Sequence, residues 1–467
     1  MLMHHLRTAL SLMLFLLCLS ALAEPDSTQY IIIREIQLKG NDKTRDYILL
    51  RELTFAVGDT LSKIDLQLAL LQSRQNLLNQ PLFHFVEVIA DENPDDSTVS
   101  ISIQVQERWY TWVWPIFEIS DRNFNAWLQN GDFTRLSYGI FFQQENFRGR
   151  LEKLHIRLKL GYQQQLAILY EIPYLNKAKT LGLGFTFDAG RQREVGYATV
   201  NDKLQYHRGD DFLRHSLDGG VYIKFRPQIH ITHLLQYKTS WIDCSDSLLI
   251  LNPDYAGDAG ATFRYPSINY LFKADFRDQR AYPLAGWYAD AELTRFGLSK
   301  TNPLNFFTLR ASARLHLPLA PRWHTAFLLA GKLSSPGNKP YYLNQALGYR
   351  RDYVRGYEYY VVDGDHFWLA KSTLKYTLIR PAIKQINWLK SPKFNSIPYA
   401  VYLNAFADVG QVWPGEGTEL NRFSGRILPG IGLGLDFVTY YDKVVRAEFS
   451  LNGEGEAGFF IHFMAAI

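Results

Sequence analysis

The stretch Leu309-Arg310-Ala311-Ser312-Ala313-Arg314-Leu315-His316-Leu317 alternates apolar and polar residues without a break. Successive side chains of a β-strand point to opposite faces, so one face of this segment is greasy and the other carries arginine, serine and histidine. The same period of two returns over residues 154–160, 181–188 and 445–452, and it continues with turn signals between segments from about Trp109 to Ile467. Alternation alone leaves open which face is outside, because a soluble sandwich hides its apolar face and a membrane barrel turns that face to lipid. Length separates the two. About 360 residues at roughly 22 per strand and connection allow about 16 strands, which suits a bacterial membrane barrel and is too many to close over a dry centre. The polar face then lines the lumen, and Arg157, Lys159, Arg310, Arg314, Arg446 and Glu448 belong there. Two soluble β-domains of half the size are the competing reading.

The predicted fold class is mainly β: an antiparallel transmembrane β-barrel of about 16 strands over residues 109–467, preceded by one small α/β domain over 24–108. That domain reads β-α-α-β-β. Residues 30–38 form a strand, 45–53 and 62–78 have helical spacing with Ser62 as N-cap and Asp65 in the first turn, and two strands carry Phe83, Phe85 and Val88, then Val99, Ile101, Ile103 and Val105. Ahead of it, Arg7, the apolar run 9–19 and Ala21-Leu22-Ala23 lay out a secretory signal peptide over 1–23. Cys18 leaves with that segment, so Cys244 remains alone and offers neither an internal disulfide nor a Cys-type zinc site. Nothing after residue 24 is apolar for long enough to make a membrane helix.

Composition agrees. The 467 residues are 47% apolar, 15% aromatic and 21% charged, which excludes a disordered chain, and a net charge of +4 on so long a chain is too small to suggest a nucleic-acid partner. There is no G-x-S-x-G elbow, no H-E-x-x-H and no phosphate-binding loop. Gly430, Gly432 and Gly434 read as a Gly-lined strand face, and His230 and His233 point to opposite faces of a strand. No catalytic residue, cofactor or metal site is therefore expected, and the chain is not read as an enzyme. Trp109, Tyr110, Trp112, Trp114, Tyr440 and Tyr441 are candidates for interfacial girdles.

Several motifs stand in order along the chain: KGNDKTRDYILLREL, VGDTLS and NQPLFHFVEV before Glu107, Asn146-Phe147-Arg148-Gly149, Asp275-Phe276-Arg277-Asp278 with Pro283 and Gly286, Tyr353-Val354-Arg355-Gly356-Tyr357, and Phe406-Ala407-Asp408-Val409-Gly410-Gln411-Val412-Trp413. Together they resemble the BamA/TamA outer-membrane assembly family, with a POTRA domain before the barrel. Gly458, Ile461 and Phe463 resemble its terminal-strand sorting signal.

The resemblance implies that Val354, Arg355, Gly356 and Tyr357 lie at the tip of an extracellular loop that folds back into the lumen. It implies Asp408 as the carboxylate facing Arg355, with Asp275 and Asp278 nearby and Lys375 replacing an expected lumen glutamate. It further implies a bacterial outer-membrane location with the POTRA domain in the periplasm. The expected partners are outer-membrane lipid, nascent or translocating polypeptides and accessory periplasmic proteins. The implied function is assisting insertion or translocation of polypeptides without nucleotide or cofactor; the alternative is a passive or gated channel plugged by the Arg355 loop.

Overall fold

A computed structural model describes residues 30–465 apart from 94–96, 120–135, 300–301, 338, 350–351, 389–393, 414–420, 440 and 442. The signal-peptide expectation, Cys18 and Tyr440 lie outside the described residues. In chain order the first elements are β1 (Tyr30–Lys39), α1 (Asp46–Leu50), β2 (Thr60–Ser62), α2 (Lys63–Leu78), β3 (Phe83–Asn93) and β4 (Thr98–Glu107). The strands form one sheet in the order β2-β1-β4-β3, with β1 and β4 parallel. Ser62 caps α2, its Oγ accepting from Asp65 N at 3.1 Å. Ile33, Leu66, Val99, Ile101 and Ile103 are buried, whereas Val86 rather than Val88 is the buried valine of β3.

Sixteen antiparallel strands follow. They are β5 (Thr111–Ile119), β6 (Leu136–Phe147), β7 (Glu152–Gly161), β8 (Gln163–Ile172) and β9 (Leu181–Gln192), then, after a side hairpin of β10 (Glu194–Val200) and β11 (Lys203–Arg208), β12 (Arg214–Phe225) and β13 (Ile231–Cys244). Helix α3 (Asp246–Leu251) precedes β14 (Thr262–Asp275), β15 (Gly286–Phe296), β16 (Phe306–Ala320) and β17 (Trp323–Ser334). The short pair β18 (Gln345–Leu347) and β19 (Val362–Asp363) lies in the next connection, before β20 (His366–Gln385), β21 (Ser396–Trp413), β22 (Ile427–Thr439), β23 (Lys443–Asn452) and β24 (Ala457–Ala465). Each of the sixteen pairs with its neighbours in chain order, leaving β5 and β24 as the two ends of the ladder among the described residues.

The sheet curls back on itself. Trp109 N, just before β5, donates to Tyr441 Oη in the β22–β23 turn at 3.1 Å, and the Trp112 ring meets Tyr441 edge-on at 5.2 Å. Trp112 and Trp114 share the face of their register partners Gln143 and Phe141, which lie opposite His155 and Arg157; this is the inward face, so these two tryptophans form no lipid girdle. The apolar face looks outward: Leu315, Leu329, Leu433 and Phe449 are exposed, while Asp408, Asp436 and Glu448 are buried.

Contacts divide the chain into two compact units. One holds the chain up to Lys39, Leu53–Arg74 and Glu87–Gln104; the other joins Gly40–Glu52 and Gln75–Val86 to Val105–Ile467. Inside the second unit, Arg226 Nη1 and Nη2 fork onto Glu52 at 2.5 and 2.8 Å. Gly149, at φ +71°, accepts Arg45 N at 2.9 Å, and a Cβ there would sit 2.0 Å from Lys43 O. Burial alone would raise the Glu52 carboxyl; the charge and hydrogen bonds of Arg226, with Arg51 and Arg280 beyond, outweigh it and hold the pKa below the usual carboxylate range.

Two predictions follow from this arrangement. Leu329→Arg, on the outward face of β17, lowers unfolding free energy in lipid vesicles by about 2–4 kcal/mol while Leu329→Phe does not; equal tolerance would remove hydrocarbon from that face. Glu52→Gln costs about 3–5 kcal/mol at neutral pH because it leaves Arg226 buried and unpaired. Since the folded pKa of Glu52 is depressed, wild type holds this advantage above the unfolded carboxylate pKa and loses it as pH falls through the folded one, so the two urea-unfolding curves converge in acid.

Candidate functional site

Arg355 lies in the connection between β17 and β20, and its guanidinium is buried at 4% exposure. Nε donates to Asp408 Oδ2 at 2.8 Å and Nη2 to Asp408 Oδ1 at 2.6 Å, the planar fork that a carboxylate matches. The backbone N of Arg355 adds a third bond to Asp408 at 3.2 Å. Nη1 reaches Glu448 Oε1 on β23 at 3.3 Å, and Nη2 reaches Thr373 Oγ1 on β20 at 3.1 Å. The guanidinium carbon lies 3.8 Å from the centroid of Phe406, two residues before Asp408 and therefore on the same face of β21.

The network runs along the wall. Lys371 Nζ is 3.8 Å from Asp408, Arg446 Nε is 3.7 Å from Glu448, and Arg446 forks onto Asp436 at 2.6 and 2.8 Å. Three carboxylates thus face three cations, and Tyr282 Oη closes the end on Asp436 at 2.7 Å. Removing one member of such a buried set strands a charge, which costs far more than the intact pair gains over an apolar substitute.

Gly430 and Gly356 make the approach possible. Gly430 pairs with Asp408 in the β21–β22 ladder, and a Cβ on it would lie 1.9 Å from Arg355 O. Gly432 and Gly434 continue the bare stripe, leaving room for the Phe406 ring and the Asn404 amide. Gly356 adopts φ +96°, and its carbonyl accepts from Asn452 Nδ2 at 3.0 Å. Val354 and Tyr357 are buried in an apolar cluster with Leu347, Phe367, Val412 and Phe423, and Tyr357 Oη accepts from Gly453 N at 3.1 Å.

The fold separates the other residues singled out in the sequence. Asp275 is forked by Arg277 at 2.7 and 2.9 Å and approached by Arg280 at 3.0 Å, not by Arg355. Asp278 accepts from Gln279 N and Leu284 N within its own turn. Lys375 donates to Pro283 O at 3.4 Å and lies over the Tyr282 ring, so Lys371, four residues earlier on the same face of β20, is the lysine beside Asp408. Glu448, Asn452 and Gly430 were not foreseen as partners of the loop. For Glu448 the signal was present, since it alternates with apolar Ala447 and Phe449 on the polar face of its strand. On β24, Ile461 and Phe463 point outward, with Gly458 opposite Ser450 in the ladder.

Comparison with known proteins agrees with this architecture. Residues 31–108 match the POTRA model, described as a surface antigen variable number repeat, and residues 146–439 match the Omp85 superfamily domain. The structure resembles BamA from Haemophilus ducreyi lacking POTRA domains 1–3, at 16% identity and a TM-score of 0.51, covering 93% of this chain and 83% of that one. It also resembles CdiB from Escherichia coli, at 10% identity and a TM-score of 0.52, covering 93% and 75%. No curated protein sequence matches the chain. The chain therefore belongs to the Omp85 superfamily, as an outer-membrane barrel of the protein-insertion or secretion kind with its POTRA module on the periplasmic side.

Proposed function

We propose that this barrel inserts or passes polypeptide clients by strand addition at the seam between β5 and β24, without nucleotide or cofactor. One observation carries the reading: the ladder ends at β5 and β24, while the Arg355 loop is fastened to β20, β21 and β23. A strand at the end of a ladder presents unpaired N–H and C=O groups to an incoming segment. The loop braces the wall beside the seam, so the seam can open while the remaining strands keep their register.

The supporting parts follow the chain. Residues 1–23 act as a removable signal, 24–108 as the POTRA domain and 109–467 as the barrel. Within the POTRA sheet β3 lies at one end of the strand order and serves as a second edge, for an extended client or an accessory periplasmic protein. Arg355, Gly356 and Tyr357 are positioning residues, with Asp408 and Glu448 as their anchors. The terminal strand bearing Gly458, Ile461 and Phe463 forms one lip of the seam.

The test uses the full chain in liposomes with an unfolded outer-membrane barrel of known sequence as client. A photo-crosslinking side chain at Phe117 or Ile461 captures that client, and one at Leu217, inside the ladder, does not. Ion conductance with no acceleration of client folding, or equal capture at all three positions, would leave a plugged channel instead. Arg355→Ala lowers barrel stability by about 3–5 kcal/mol and slows client insertion, and Gly430→Ala reproduces this by pushing the loop off the wall although it removes no charge. Arg157→Ala, whose guanidinium meets solvent and the Phe141 ring, changes heat-modifiability little; an equal loss would deny the loop its role.

A further inference from the structure

His462 lies on the inward face of β24, between Ile461 and Phe463, which face out. Its register partner on β23 is Arg446, and Glu448 stands two residues further along the same inward face. Glu358 comes from the loop, two residues after Gly356; Gly356 N donates to its Oε2 at 2.8 Å, which aims Oε1 away from the turn. These three residues converge. His462 Nε2 lies 3.3 Å from Glu448 Oε2 and 3.9 Å from Glu358 Oε1, and one ligand atom from each residue falls within 4.8 Å of the others.

None of these three atoms has a hydrogen-bond partner, although each is shielded from solvent. The imidazole stands 3.3 Å from Glu448 Oε2, the spacing of an ion pair when the ring carries its second proton. Glu448 has its side chain 1% exposed, and its other oxygen is already held by Arg355 and Arg446, so Oε2 is left facing the Glu358 carboxylate and the His462 ring nitrogen. Two buried carboxylate oxygens brought together beside one imidazole are costly unless something positive lies between them, and native structures fill such places with a proton, a water or a cation.

We infer that Glu358, Glu448 and His462 form a binding site for a borderline divalent transition-metal ion of the Zn2+ class. Two carboxylate oxygens with one imidazole nitrogen are a common donor set for that class, whereas Mg2+ and Ca2+ prefer oxygen alone. With bonds of about 2.0–2.2 Å, tetrahedral ligands stand roughly 3.4 Å apart; the carboxylate oxygens lie 3.3 and 3.9 Å from His462 Nε2, all three atoms fall within 4.8 Å, and the fourth position goes to water. The ligands belong to three segments: the Arg355 loop, β23 and β24. A bound ion would tie the loop to the terminal strand, and so restrain one lip of the seam. The site itself does not depend on the client reading, because it is tested by ion binding to the purified chain.

The experiment titrates the chelator-treated full chain, folded in detergent micelles at neutral pH, with Zn2+ against a chromophoric competitor, and records the barrel's unfolding temperature with and without the ion. One equivalent binds, the unfolding temperature rises, and excess Mg2+ does not compete. His462→Ala abolishes both effects, Glu358→Gln weakens binding at least tenfold, and His233→Ala, elsewhere on the barrel, leaves both intact. If His462→Ala fails to fold, Glu358→Gln decides. Binding that survives these substitutions, or a folded wild-type barrel that binds no Zn2+, overturns the proposal. An unfolding temperature that responds to pH but not to Zn2+ also overturns it and assigns the cluster to an imidazolium held between two carboxylates.

Discussion

A strand that crosses hydrocarbon cannot leave its backbone N–H and C=O groups unpaired, because no water is there to take them. Every strand of the membrane sheet must therefore have a neighbour on each side, and the side chains must sort by face: apolar to lipid, polar to the interior. The rest of this molecule depends on that constraint. It places Leu315, Leu329, Leu433 and Phe449 outside and gathers Arg355, Asp408, Asp436 and Glu448 inside. Among the described residues the ladder ends at β5 and β24, where that constraint bears hardest.

The interior brings a problem of its own. Charges collected in a wide lumen are inexpensive while water reaches them, but a loop that folds inward dries some of them, and each dried charge then needs a partner of opposite sign. Arg355 is the clearest case. Its guanidinium is buried, and it is matched by a forked bond to Asp408, by Glu448 on another strand and by the ring of Phe406. Because the partners lie on β21 and β23 with β22 between them, the middle strand must yield space, and its alternate glycines do so. Gly430, Gly432 and Gly434 are thus part of the loop's seat as much as part of a strand.

The same crowding leaves a remainder beside the last strand. Arg355 and Arg446 hold one oxygen of Glu448, and the other faces Glu358 and His462. The bracing network thus ends where the loop, β23 and β24 bring Glu358, Glu448 and His462 together. On β5, the other end of the ladder, Trp112 stacks on Trp114 and meets Tyr441 edge-on.

The period-two pattern fixed which face of each strand is apolar, and total length fixed the approximate number of strands, because both follow from local geometry that repeats along the chain. The same alternation marked Arg310, Arg446 and Glu448 as interior residues, and the short motifs marked Arg355 and Asp408. Periodicity gives a face but neither a depth nor a neighbour. Register, loop trajectory and strand curvature therefore decided that Lys371 and not Lys375 stands beside Asp408, that Asp275 turns to Arg277, and that Glu358, Glu448 and His462 meet. Those residues are far apart in sequence, so only the closing of long loops over paired strands could bring their side chains to one point.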